Sequence, residues 1–225
     1  FASTVRGVDT VVGTSPQFFT AWAACITAWY KRVPFIFELR DMWPESIRAV
    51  GALQNRHILR GLEFMELFLY RRAKGIVSVT KSFKENLIHR GVEPDKISVV
   101  TNGVDLTRFS PGEKSELLVQ DLGLQGQFVV GYIGTHGMAH ALETLLFAGQ
   151  QLAKMGEKKV TIVFLGDGAR KEYLQHQAFK LGLSNIKFLP SVTKDEVANY
   201  WRILDASVIH LKKDKVFKAV IPSKL

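Results

Sequence analysis

The pattern that most limits what this chain can fold into is an alternation of short, uniformly apolar runs with longer stretches of helical periodicity. It occurs in two series, on either side of a polar segment. In the first series 10-TVVGT-14, 34-PFIFEL-39, 75-GIVSVT-80 and 97-ISVV-100 read as strands. In the second, 128-FVVGYIG-134, 160-VTIVFLG-166, 186-IKFLP-190 and 206-ASVIHL-211 do. Strands apolar throughout need cover on both faces, and parallel pairing needs a crossover between neighbours. The expectation is therefore an α/β protein of two Rossmann-like domains with parallel sheets, at residues 1–110 and 111–225. The stretch 111–127, polar and with three glycines, would join them. A ligand cleft would lie between the domains, at the carboxyl ends of the strands.

Local signals place the helices. Ser15 and Pro16 are expected to cap and open a helix running to about Tyr30. A long helical region reaches Ala73. Ser82 with Glu85, and Thr193 with Glu196, have capping-box spacing. Asn102-Gly103 is a sharp turn signal, yet no paired strand follows it. It is read as the end of the last strand of the first domain.

The net charge of +9 arises evenly, from 15 basic and 10 acidic residues up to Ser110 and 15 and 11 after it. A surplus without a basic tail argues against a nucleic-acid partner and leaves an anionic membrane surface or a phosphorylated ligand. The one cysteine, Cys25, excludes an internal disulfide framework and fits a reducing, cytoplasmic setting. The longest apolar run, Phe18 to Tyr30, is short of the ~20 residues that span a bilayer.

Four stretches are candidates for chemistry. In 131-GYIGTHGMAHALETLL-146 a strand breaks at glycines and enters a helix, an arrangement that offers free amides and a positive dipole end to a phosphate. A tight strand-to-helix turn explains the same glycines. The loop 165-LGDGARKEY-173 repeats the arrangement, with Arg170 and Lys171 where cations are unfavourable unless an anion is near; solvated side chains are the plainer account. His136 and His140 lack a third metal ligand and are read as polar cleft residues, so no metal is expected. In 37-FELRDMWPES-46, Arg40, Asp41, Trp43 and Glu45 follow a buried strand and would form a cleft wall, or Arg40 and Asp41 would pair to cap the next helix. Finally, 56-RHILRGLEFMELFLYRRAK-74 combines a wide apolar face with Arg56, Arg60, Arg71 and Arg72. That suits a membrane interface, or a core helix with snorkelling arginines.

Taken together, these residues resemble the GT-B glycosyltransferases of family 4 over essentially the whole chain. The most specific mark is 101-TNGVDLTRFSP-111, similar to the segment that joins the two Rossmann domains of that family. The loop from Gly131 to Gly137, 165-LGDG-168 and 185-NIKFLPSV-192 match further strand ends. The stretch 38-ELRDMWPES-46 is closest to a bacterial subgroup that builds lipopolysaccharide and capsule and transfers amino-deoxy sugars such as N-acetylfucosamine.

The resemblance implies a retaining transfer from a nucleotide-sugar, usually UDP-linked, to a lipid diphosphate-linked saccharide at the inner face of the cell membrane, with no cofactor. It assigns the Gly134 and Gly137 amides to the diphosphate. Gly166, Asp167 and Gly168 would line the nucleotide pocket, backbone near Val192 would read the base, and Lys224 would join the donor site. Asp41 would be the catalytic carboxylate facing the acceptor. Thr135 and His140 stand where many members carry an Arg and a Lys directed at the diphosphate. The family's E-x7-E motif would begin after Leu225, so the resemblance implies an inactive internal fragment. Two other classes fit the residues: a two-domain module binding a phosphorylated ligand without turnover, and a sugar-nucleotide epimerase.

Overall fold

A computed structural model describes residues 2–222. They form two compact units: residues 2–103 together with 213–222, and residues 104–212.

The first unit runs β1 (Val11–Thr14), α1 (Phe18–Lys31), β2 (Phe35–Leu39), α2 (Glu45–Ala49), α3 (Arg56–Arg72), β3 (Gly75–Ser78), α4 (Lys81–His89) and β4 (Ile97–Val99). The strands pair in the order β1-β2-β3-β4, all parallel. Phe35, Phe37 and Leu39 alternate inward along β2 and meet Ala21 and Ala28 of α1, Leu69 and Tyr70 of α3, and Phe83 and Leu87 of α4. Gly13 lets α1 lie directly on the sheet: a Cβ there would stand 2.7 Å from the Ala24 Cβ and 3.0 Å from the Phe35 ring.

Two expected caps are displaced. Ser15 does not cap α1, which begins after Gln17; its hydroxyl is used across the sheet instead. In α4 the cap is Thr80, whose Oγ1 accepts the Phe83 amide at 3.0 Å, so the helix starts before the Ser82–Glu85 pair. Asn55 opens α3 by accepting the amides of His57 and Ile58.

The second unit contains α5 (Glu116–Asp121), β5 (Phe128–Ile133), α6 (Glu143–Lys154), β6 (Val160–Leu165), α7 (Lys171–Lys180), β7 (Ile186–Leu189), α8 (Val197–Arg202) and β8 (Ala206–Ser207). Its parallel sheet has the order β7-β6-β5-β8. Both faces are covered, as strands of this composition require: Tyr132, Leu145, Ile162, Phe164 and Leu174 form one core, Leu124, Val129, Val163 and Ile203 another. The Thr193–Glu196 box forms as expected, with the Thr193 amide and hydroxyl 2.9 and 2.7 Å from the Glu196 carboxylate.

The structure differs from the sequence reading at three further points. The units divide at Gly103–Val104, and residues 213–222 pack on the first unit, not the second. Phe217, Val216 and Val220 bury there, and Thr80 Oγ1 donates to the Ala219 carbonyl. β8 pairs for only two residues; the Val208 amide still donates to the Gly131 carbonyl at 2.8 Å, and residues 209–211 leave the sheet. After Gly103 the chain is held by an Asp105 turn, whose carboxylate accepts the Thr107 amide and hydroxyl at 3.0 and 2.6 Å. Among the described residues no helix is long and apolar enough to cross a membrane.

Gly13→Ala is expected to lower stability by about 1–3 kcal/mol, because the added methyl must push α1 away from β1. The midpoint of urea unfolding measures this; an unchanged midpoint would show that α1 is not seated so closely.

Candidate functional site

In the second unit the chain builds β5, β6 and β7 outward in one direction, then returns to place β8 on the other side of β5. In open parallel sheets, ligands bind beside such a reversal at the carboxyl ends of the strands, here β5 and β8. The loop leaving β5 contains Gly134, Thr135, Gly137 and a 3-10 turn at Met138–His140, followed by Ala141 at a φ of 44°. The segment after β8 lies against it. The Lys212 amide donates to the Ala139 carbonyl at 2.7 Å, and His210 Nδ1 stands 2.6 Å from the His140 carbonyl.

The β5 and β6 exit loops touch backbone to backbone. The His136 amide donates to the Asp167 carbonyl at 2.8 Å, and the Arg170 amide to the His136 carbonyl at 2.9 Å. Gly166, at a φ of 137°, would place a Cβ 2.2 Å from the Gly134 carbonyl oxygen. Gly168, at 150°, would place one 2.7 Å from that of His136. Here glycine is required twice over, by conformation and by space.

This arrangement corrects part of the sequence reading. The Gly134 amide is spent on the Leu165 carbonyl at 2.9 Å, so it is not available to a diphosphate. The amides of Thr135 and Gly137, by contrast, have no acceptor among the described residues. His136 is not a cleft residue: it is fully buried, its ring about equidistant from those of Tyr132 and Phe164 at 5.9 Å. His140 is half-buried on the edge of Tyr132. Arg170 pairs with Glu143 and lies 3.8 Å over the Tyr173 ring. Lys171 Nζ donates to the Gly166 and Leu189 carbonyls at 2.8 and 3.1 Å. Both cations at the start of α7 are thus answered by the protein itself. Asp167 is exposed and Val192 half-buried; Lys224 lies outside the described residues.

In the first unit the candidate carboxylate follows β2. Ser15 Oγ accepts the amides of Arg40 and Asp41 at 3.0 and 3.1 Å and donates to the Asp41 carbonyl at 3.1 Å. One hydroxyl therefore shapes the turn that presents Asp41. Burial raises the Asp41 carboxyl above the usual range, opposed by the Ser46 hydroxyl and the Met42 amide. Arg40 is exposed and makes no ion pair with Asp41 among the described residues. Trp43 stacks on Phe18 with ring centroids 4.3 Å apart.

Glu45 is not an open cleft residue. Its Oε1 lies 3.4 Å from Arg90, which also binds Glu66 at 2.5 Å and sits 5.8 Å over the Tyr70 ring. Tyr70 donates to the other Glu66 oxygen at 2.5 Å. Glu66 is 2% exposed, and burial pushes its carboxyl up to about 7 despite Arg90. The sequence carried a faint sign of this cluster, a glutamate inside the apolar face of 56–74 and four residues before a tyrosine. Ser15 gave no such sign, its partners being 25 and 26 residues away. Arg56, Arg60, Arg71 and Arg72 are all exposed on α3.

Comparison with known proteins gives the same picture. Residues 5–108 match the family model described as Glycosyltransferase Family 4. That match lies almost wholly in the first unit and takes in a little under half of the chain. The D-inositol 3-phosphate glycosyltransferase of Rhodococcus opacus (strain B4) is 29% identical over 186 residues, 74% of this chain and 42% of that protein. The putative teichuronic acid biosynthesis glycosyltransferase TuaH of Bacillus subtilis (strain 168) is 23% identical over 206 residues, 89% and 49%. The crystal structure of Anabaena HepE in complex with UDP and glucose superposes with a TM-score of 0.69 at 19% identity, covering 87% of this chain and 51% of that one. The chain thus spans about half the length of these relatives. The match to HepE shows that the α/β architecture, with two parallel four-stranded sheets, is shared with the GT-B glycosyltransferases.

Two outcomes are expected. Gly166→Ala should cost about 3 kcal/mol or more in denaturant unfolding, since it combines backbone strain with a clash, whereas Gly137→Ala should cost about 1 kcal/mol or less. Equal losses would contradict the close loop contact. For Glu66, the folded chain holds the carboxyl proton more tightly than the unfolded chain, where glutamate titrates near 4.5. Its contribution is fully present below that pH, is lost as pH rises through about 7, and is on the order of 3 kcal/mol. Glu66→Gln should therefore flatten the fall in stability across that window. A profile parallel to that of the parent would show that Glu66 is not the group responsible.

Proposed function

We propose that this chain belongs to a retaining glycosyltransferase that moves a sugar from a nucleotide-sugar, UDP-linked, to a lipid diphosphate-linked saccharide in cell-surface polysaccharide synthesis at the cytoplasmic face of a membrane. The observation that carries the reading is the pair of free amides at Thr135 and Gly137, beside the strand-order reversal at β5 and β8. Such a site suits the diphosphate of a donor, and HepE, of similar fold, has been crystallised with UDP and glucose. The resemblance of residues 38–46 supports an amino-deoxy sugar as the group transferred. The teichuronic acid role in the name of the Bacillus relative supports a polymer acceptor.

In the transfer, the bond from the anomeric carbon to the β-phosphate oxygen breaks and its electron pair leaves with UDP. A new bond forms from that carbon to an acceptor hydroxyl oxygen, and the hydroxyl proton passes to a base. Asp41 is assigned this last role, because its raised proton affinity suits it to accept a proton. The Thr135 and Gly137 amides would steady the negative charge that grows on the departing diphosphate.

UDP titrated calorimetrically into the chain should bind saturably. Thr135→Glu, an exposed substitution that sets a carboxylate beside the free amides, should weaken it about tenfold or more. Absence of saturable binding, or indifference to the substitution, would remove the donor site from this loop. Binding without turnover of any nucleotide-sugar in the full-length protein would favour a binding module over a transferase.

A further inference from the structure

The helix α1 is built inside out. Its buried positions are mostly small, Ala21, Cys25 and Ala28, while Phe19, Ile26, Trp29 and Tyr30 face outward, with Phe19 and Trp29 71% and 70% exposed. On α3, Phe64 is 67% exposed although Glu66 and Tyr70 of the same helix are buried. The two outer stripes meet where Trp22 stacks on Phe68, 5.3 Å between centroids and 5° from parallel. Large apolar side chains exposed side by side on two neighbouring helices form a patch that is not arranged for water.

Both stripes lead to a cavity of about 520 Å³, where the last turns of α1 and α3 come together. Its wall includes Trp29, Arg72, Lys74 and Lys96, against one acid, Asp95. Arg72 stands one turn beyond Phe68. Neither Arg72 nor Lys74 has a carboxylate within ion-pair distance among the described residues, and Lys96 reaches only the exposed Glu93 at 3.6 Å. Cations in a last helical turn complement the helix dipole, which accounts for Arg71 and Arg72 but not for Lys74 and Lys96 beyond it.

We propose that the first unit seats on a bilayer through the α1–α3 face, with the phosphate of an anionic phospholipid headgroup held between Arg72, Lys74 and Lys96. Tryptophan, tyrosine, phenylalanine and isoleucine exposed along one helix, next to a cluster of cations, match the composition of a membrane-interface surface. The charge complementarity is with lipid phosphate: each basic side chain near an anionic surface contributes about 1 kcal/mol. The inference rests on the lipid-linked acceptor proposed above, and it adds a membrane seat at the amino ends of β2, β3 and β4, the sheet edge opposite Asp41.

The test uses the chain without any nucleotide-sugar. It is co-sedimented with phosphatidylcholine vesicles made with and without phosphatidylglycerol, and tryptophan emission is recorded. Binding to the anionic vesicles with a blue shift is expected. The double variant Arg72→Glu/Lys74→Glu should lose at least tenfold in vesicle affinity. Trp29→Ser, at an exposed position, should lose both affinity and most of the blue shift. Circular dichroism identifies a variant that fails to fold, and either variant alone is sufficient. Equal binding to neutral vesicles, no binding, or unaltered binding by both folded variants would overturn the proposal. So would saturation of the cavity by soluble glycerol phosphate without vesicle binding, which would make it a site for a free organophosphate. If UDP still binds while vesicle binding is absent, the membrane inference falls and the donor reading stands.

Discussion

All strands of each sheet run parallel, and much else follows from that constraint. Parallel neighbours cannot be joined by hairpins, so every connection crosses over, and every strand delivers its carboxyl end to the same edge. In the second unit the exits of β5 and β6 are thereby brought side by side, close enough that Gly166 leaves no room for a side chain beside Gly134. In the first, the exits of β1 and β2 come together, and Ser15 from one takes hold of Asp41 in the other.

Polar groups drawn to these edges are satisfied by distant partners. Lys171 serves carbonyls at the ends of β6 and β7, and Arg170 is matched by Glu143 of the preceding helix. The same economy governs the side of the first unit, where Arg90 gathers Glu45 and Glu66 from two helices while Tyr70 closes the far side of Glu66. Burying that glutamate is unfavourable in its charged form, and its proton affinity rises accordingly. Among the described residues, the groups left without an internal partner include the amides of Thr135 and Gly137 and the side chains of Arg72 and Lys74.

Strand positions were readable because a strand apolar on both faces has a signature that survives any tertiary context. The Thr193–Glu196 box was readable because both partners lie within one turn. The failures share the opposite property. Ser15 had the composition of a helix cap, but its hydroxyl found three partners across the sheet. His136 looked polar and accessible, but the aromatic rings of two neighbouring strands enclose it. The Gly134 amide looked free, but it donates to the carbonyl of Leu165, the last residue of the neighbouring strand β6.

By itself, then, the sequence determined the α/β class, the parallel order implied by buried strands, the glycine exits and the resemblance to family 4, all of which rest on short-range pattern. Tertiary structure alone decided which amides remain free, which charges are answered within the protein, that residues 213–222 return to the first unit, and that α1 turns its large side chains outward. These depend on partners tens of residues apart, and hydrogen bonding and burial are settled by proximity in space, which a linear pattern does not encode.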